Sequence, residues 1–457
     1  MNEPESRSSG ATRRQRAALI AALIVLFGVC ASPLVSWSHA GGGYARWALI
    51  PRHTILIACI PYAASLALMR RIGLSRRAVL LTGTAMGAVL FVPPTTGSHD
   101  IYSYLAYAKL LAHRHLDPLV TQPVAFGHDP WLRFVLWRHT PSVYGPLWTY
   151  ATAALAALTG FRLGLTLYLV KALSLAGVGV AAVLAPRMIS RDDRERDFVR
   201  AAIVWNPLIL FAVAGEGHVD GALLGLLIAA LFFRSRERNA LVSALLVAAS
   251  LVKIYVVVLL LLHVVDLVRK RDVRGVLTAG AASLAGIATY APLWRGAQTF
   301  TALRVVAGRF TPTLPNAFRD LLEDGFSSHG MSEASANVVG VDAARVAGAV
   351  VLAGVLIYLI MRRRDAPAGW RWTMAFGAYV VTSPWFLPWH AIPLVGLGLA
   401  APDLRGGGAL RRAALAVTAT SVVGIAVIRF GVPLIALAIR GRKRSSFVND
   451  GSFATVP

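Results

Sequence analysis

Long apolar runs separated by short basic clusters set the pattern of this chain. Runs close to the ~20 residues needed to cross a bilayer occupy Ala17 to Val35, Ile50 to Met69, Leu163 to Pro186, Val276 to Trp294 and Ala343 to Met361. Shorter or interrupted runs cover Ala78 to Val92, Ala201 to Ala214, Ala222 to Phe233, Trp372 to Phe386 and Pro388 to Ala401, and Ala240 to Val268 reads as a hairpin bent near Lys253. Between them stand Arg13, Arg14 and Arg16, then Arg70, Arg71, Arg76 and Arg77, then Arg269, Lys270, Arg271 and Arg274, then Arg362, Arg363 and Arg364. Basic clusters of this kind mark loops held on the cytoplasmic side. The pattern predicts an all-α polytopic membrane protein with about 12 or 13 transmembrane helices. The count stays open because the last apolar stretch, after Arg411 and Arg412, suits one span or two very short ones. The first run also resembles a secretory signal peptide, but it exceeds the usual apolar length of up to about 15 residues, which favours a retained span.

One stretch breaks the pattern. From Pro93 to about Gly160 the chain is rich in Pro, aromatic residues and His, too mixed for an ordinary span, and by parity it lies outside. Within it, Ile101 to Ala112 and Pro146 to Leu158 have helical spacing but are too short to cross, so they are expected as interfacial helices beneath an external site. The resulting organisation is a cytoplasmic tail over 1–16, an integral membrane domain over 17–440 and a polar tail over 441–457. The domain carries external loops at 93–162 and 295–340. No internal repeat stands out.

Composition agrees with a lipid environment: of 457 residues 56% are hydrophobic and 15% charged, against about 25% charged in soluble domains. The formal charge of +24 would suit nucleic acid, but its confinement to inter-span loops assigns it to topology, and no nucleic-acid partner is expected. Cys30 and Cys59 lie inside apolar runs and read as small buried hydrophobes. His99, His113, His115 and His128 match no compact ligand spacing, so no dedicated metal site is expected. No Gly-rich phosphate loop is present, which argues against a soluble nucleotide ligand.

Asp100 is the first candidate for chemistry. It follows the third span in Ser98-His99-Asp100-Ile101-Tyr102-Ser103-Tyr104, where an external loop meets the bilayer. Taken alone it also suits an N-cap, since a helix follows it. Lys253 interrupts an apolar hairpin at its bend, where an unpaired ammonium is costly, unless it snorkels to the interface. His218 and Asp220 occupy a Gly-rich turn that either closes a hairpin or contacts a ligand. Tyr102, Tyr104, Trp385 and Trp389 stand at external span ends, where aromatic belts form.

Several short motifs then occur in order. Asp100-Ile101-Tyr102-Ser103-Tyr104, Leu116-Asp117-Pro118 and Tyr144-Gly145-Pro146-Leu147-Trp148 resemble the first external loop of polyprenyl-phosphomannose-dependent mannosyltransferases, which are C-type glycosyltransferases. Trp205-Asn206-Pro207-Leu208 with Gly217-His218-Val219-Asp220 is similar to a later segment of that family, departing at Val219. Ser383-Pro384-Trp385-Phe386-Leu387-Pro388-Trp389 resembles its late Pro-Trp-Tyr motif, with Phe386 in place of Tyr. The resemblance covers about residues 95 to 400 and points to the actinobacterial α-1,6-mannopyranosyltransferases.

The resemblance implies a C-type architecture in the plasma membrane with the site facing outside. It implies a polyprenyl-phosphate sugar donor, a glycan or glycolipid acceptor, and Asp100 as the base of an inverting single displacement. A lipid-phosphate leaving group calls for cations, with Lys253 the first choice and Lys109 and Arg114 weaker ones expected to be solvated. His218 and Asp220 would contact the acceptor or hold Asp100, and Tyr104 and Trp385 would contact the sugar. A loosely bound Mg²⁺ or Mn²⁺ on the carrier phosphate is compatible with this chemistry. The competing expectations are a transporter or flippase of a lipid-linked sugar and a non-catalytic scaffold. Concentration of polar residues in external loops, rather than at a midplane site between two related halves, favours an enzyme.

Overall fold

The computed structural model describes residues 4–42, 53–189, 192–401 and 408–421. Among these, every regular element is helical. The last apolar stretch beyond 421 and the tail 441–457 lie outside the described residues, as does the start of the expected second span.

The chain begins with α1 (Pro4–His39), α2 (His53–Ile72) and α3 (Arg76–Phe91). It continues through α4 (Asp100–Arg114), α5 (Pro146–Leu158), α6 (Leu163–Leu184) and α7 (Asp193–Val204). Next come α8 (Asp220–Arg234), α9 (Asn239–Val252), α10 (Val257–Arg269) and α11 (Val273–Ala288). The remaining helices are α12 (Thr301–Ala307), α13 (Leu314–Ser328), α14 (Glu333–Met361), α15 (Ala368–Thr382) and α16 (Ile392–Ala400). Among the described residues, five helices are long and apolar enough to cross a membrane: Thr12–His39, Thr54–Ile72, Leu163–Met188, Val273–Leu293 and Glu333–Met361. A sixth arises if Asp193–Val204 and Pro207–Gly215, bent by 40° at their junction, form one span.

That bend has a local cause. Proline at 207 removes a backbone donor, and Asn206 caps the renewed helix by accepting from Ile209 N–H at 3.2 Å. The Asn206 amide also donates to Thr418 Oγ1 at 2.8 Å and Tyr62 Oη at 3.3 Å, tying three elements together. Beyond it, Leu210–Gly215 widens into a π-turn, a feature common at functional sites, and delivers the chain to Glu216.

At the centre α6 and α8 pack backbone to backbone. A Cβ on Gly225 would stand 2.6 Å from the Gly177 Cα, and one on Gly177 would strike the Gly221 carbonyl. Gly221 and Gly225 are spaced i, i+4, the arrangement that lets membrane helices approach closely. This approach fixes the start of α8, and with it Asp220, against α6.

Two expected features differ. The segment around Ile101 to Ala112, expected to lie in the interface, is buried on nearly all sides as α4, with Ile101 through Ala108 and Leu110 inaccessible. It packs on α5 and α6 and lies beneath the loop that follows it, so it belongs to the core. The second loop is largely helical, and α14 begins at Glu333, ten residues before the expected span. By contrast α5 has the expected bounds, opened by Pro146 at its first position, and the hairpin of α9 and α10 breaks at Lys253.

Candidate active site

The site lies where α3 ends and where α4 and α8 begin. α8 is about 22 Å long at 1.5 Å per residue, and Arg234, close to Asp266 at 3.5 Å, ends it far from Asp220. Arg371 joins Asp266 at 2.5 Å. Arg234, Arg371 and Asp266 thus gather at the end of α8 opposite to Asp220.

A buried lysine and a part-buried glutamate pin the segment leading into α4. The Lys171 ammonium donates to the carbonyls of Phe91 at 2.8 Å and Pro93 at 2.7 Å. Ser98 N–H donates to Glu216 Oε1 at 3.1 Å. Asp100 is therefore delivered in a defined place as the first residue of α4. The N-cap position belongs to His99, which makes no side-chain cap bond, so the capping reading of Asp100 is replaced. Asp100 Oδ1 accepts the indole N–H of Trp137 at 3.0 Å, and Oδ2 faces His218 Nδ1 at 3.8 Å. The carboxylate keeps 15% exposure, which leaves an edge for a ligand. Beside it, burial lowers the His99 pKa, which favours a neutral ring, with Nδ1 at 3.1 Å from the Phe134 carbonyl.

His218 is fully buried behind Asp100. Its Nε2 is 3.0 Å from Glu216 Oε2, and its ring stacks on Trp389 at 3.9 Å with the planes 19° apart. Nδ1 has no hydrogen-bond partner and points at the Asp100 carboxylate. The ring is thus held by Glu216 and the Trp389 face, with its Nδ1 edge turned to Asp100. Gly217 makes the turn possible: its φ is +71°, and a Cβ there would lie 2.6 Å from Ile101 Cδ1.

Lys253, expected to hold the donor phosphate or to snorkel to the interface, donates to both oxygens of Asp220 at 2.9 Å. The two side chains are 9% and 0% exposed, so the ammonium charge is answered inside the protein. Lys109, expected to be solvated, is paired with Asp129 at 2.6 Å and lies 4.5 Å over the Trp131 ring. Tyr104, expected as a sugar contact, is 1% exposed; Tyr144 at 4.7 Å and Trp148 at 5.6 Å meet it edge-to-face. It is a packing residue under the site. Trp385 is half-buried and meets Trp137 edge-to-face at 6.0 Å.

The structure thus brings Asp100, His218, Asp220, Lys253 and Trp385 together and leaves Lys109 in its own pair. It adds Trp137, Glu216, Trp389, Lys171 and Arg309, none of which the sequence singled out for the reaction centre. Glu216 had a faint signal, an acidic residue inside the glycine turn of His218; Trp137 and Arg309 had none. Among the described residues no three His, Cys, Asp or Glu side chains converge as metal ligands. A cavity of about 310 Å³ bordered by Tyr62, Leu66, Phe198 and Leu415 shares no residue with this cluster, and Arg70 is its only charged neighbour.

Residues 9–269 match the N-terminal domain described for alpha-(1->6)-mannopyranosyltransferases. The chain is 30% identical over 159 residues to a probable alpha-(1->6)-mannopyranosyltransferase of Mycolicibacterium smegmatis, covering 33% of this chain and 28% of that protein. It is 28% identical over 155 residues to an alpha-(1->6)-mannopyranosyltransferase of Mycobacterium tuberculosis, covering 32% of this chain and 25% of that protein. The matched segment therefore spans only about a quarter of the length of these two relatives. Against alpha-(1->6)-mannopyranosyltransferase A of Corynebacterium glutamicum the identity is 22% over 334 residues, 68% of each chain.

Proposed function

The chain belongs to the alpha-(1->6)-mannopyranosyltransferase family, and from that premise and the setting of Asp100 we propose that it transfers a mannosyl group from a polyprenyl-phosphate donor to a glycan or glycolipid acceptor. The observation that carries the reading is a partly exposed carboxylate oriented by Trp137 and backed by the His218–Glu216 pair.

In the proposed step an acceptor hydroxyl meets the open edge of Asp100. Its oxygen attacks the sugar C1 and its proton passes to the carboxylate, the work of a general base. The new C1–O bond forms as the C1–O bond to phosphate breaks, and the electron pair stays on the lipid phosphate. One displacement inverts C1, and no second carboxylate is needed as a nucleophile. His218 is a positioning residue: held by Glu216 and Trp389, it sets the far side of Asp100.

The external placement of the site is supported by charge. The basic clusters at Arg234, Arg269 and Arg371 lie at the opposite end of the bundle, which the positive-inside trend assigns to the cytoplasm. On this topology each shorter apolar run crosses once, as the 12 or 13 passes expected from the sequence require.

The test is transfer of radiolabelled mannose from polyprenyl-phosphomannose to a short α-mannoside, comparing the wild-type protein in nanodiscs with Asp100→Asn. Loss of transfer in a folded Asn variant supports the reading. Equal transfer by both proteins removes Asp100 from the mechanism, and no transfer by wild type sinks the donor assignment.

A further inference from the structure

A leaving group that carries a phosphate needs a positive charge near C1, and the fold has already engaged most of the cations around Asp100. Lys253 is held by both oxygens of Asp220, Lys109 by Asp129, and Lys171 by two backbone carbonyls. Arg309 is different. It lies in the link between α12 and α13, half-buried, and donates only to the Thr140 hydroxyl at 3.2 Å. No carboxylate pairs with it among the described residues. Its guanidinium covers the Trp137 ring at 4.6 Å and stands 5.8 Å from the Trp385 centroid. Burial lowers its pKa, yet a guanidinium keeps its proton at any physiological pH.

The same indole that supports Arg309 on its face donates from its edge to Asp100. Base and free cation are therefore one tryptophan apart. The loop that carries Arg309 is also fixed to the segment that carries Trp385. Thr311 N–H donates to the Pro384 carbonyl at 2.9 Å, its hydroxyl donates to the Phe386 carbonyl at 2.9 Å, and Phe386 N–H donates to that hydroxyl at 2.8 Å. A cation without a carboxylate, anchored in this way beside a general base, is preorganised for an anion.

We propose that Arg309 binds the donor phosphate: its guanidinium fork holds the phosphodiester linking lipid to sugar, and then the polyprenyl monophosphate released when C1–O breaks. The acceptor proton goes to Asp100 and the departing electron pair to the oxygen facing Arg309. The inference rests on the transferase reading above and replaces Lys253 and Lys109 as the phosphate contacts.

The probe is sugar-free polyprenyl monophosphate, titrated into wild type, Arg309→Gln and Arg309→Lys in zwitterionic nanodiscs. Loss of a charge-assisted contact is expected to weaken binding about 10- to 100-fold in the Gln variant, with partial recovery in the Lys variant. In the transfer assay the KM for the lipid donor should rise while the KM for the acceptor stays the same. Equal monophosphate binding by wild type and a folded Gln variant overturns the proposal. So does competition by phosphatidylglycerol as strong as that by polyprenyl phosphate, which would make Arg309 a general headgroup contact. If wild type binds the monophosphate through Arg309 but transfers no mannose, the activity reading fails and the phosphate site stands.

Discussion

The indole N–H of Trp137 reaches Asp100 Oδ1 at 3.0 Å across 37 residues of chain, fixing the orientation of a carboxylate that keeps 15% exposure. Trp137→Phe keeps most of the ring and removes only the donor. Hydrogen bonds to charged groups contribute about 1.5–3 kcal/mol, so kcat/KM for mannosyl transfer is expected to fall about 10- to 100-fold, while the thermal unfolding temperature moves little. Unchanged kcat/KM would show that Asp100 needs no orientation from this ring.

The Asp220–Lys253 pair is expected to behave as a coupled unit. Removing one partner leaves a buried charge without its counterpart, a loss of about 3–5 kcal/mol. Asp220→Asn or Lys253→Met alone should therefore lower the unfolding temperature in detergent more than the double variant does. A double-mutant cycle measures this coupling. Additive effects would mean that the two charges are answered elsewhere.

The close approach of α6 and α8 makes a third expectation. Gly225→Ala puts a methyl 2.6 Å from the Gly177 Cα, and overpacking of this kind costs about 1–3 kcal/mol. Gly179→Ala, on the same helix as Gly177 but with open space around it, serves as the control. Parallel unfolding curves for the two variants would contradict the packing of these helices.

Because Asp220 opens α8, the glycine contact and the site are linked. A shift of α8 away from α6 would carry Asp220 from Lys253 and move His218 relative to Asp100. Gly225→Ala is thus also expected to reduce transfer, more than Gly179→Ala does, in the same radiolabel assay.

Some of this was legible along the chain because the cause is local. The Pro146 start of α5 and the Lys253 break of the hairpin follow from a fixed φ at a helix start and a charge interrupting an apolar run. Asp100 was legible by its place after the third apolar run, and His218 and Asp220 by their glycine turn. The burial of α4 was not, since its spacing fits an interfacial helix equally well, and only its packing on α5 and α6 and the following loop decides between them.

The sequence by itself determined that most of the chain belongs in lipid, which ends of the runs carry basic clusters, and where the candidate carboxylate stands. The tertiary structure decided which charges remain available. Lys253 and Asp220 are 33 residues apart and Lys109 and Asp129 are 20 apart, while Arg309 meets Trp137 from a different loop. Pairing at such separations depends on how the helices pack, and a buried ammonium takes whichever carboxylate the fold brings within reach. That leaves Arg309, which no apolar periodicity or motif distinguishes, as the cation beside Asp100 with no carboxylate of its own among the described residues.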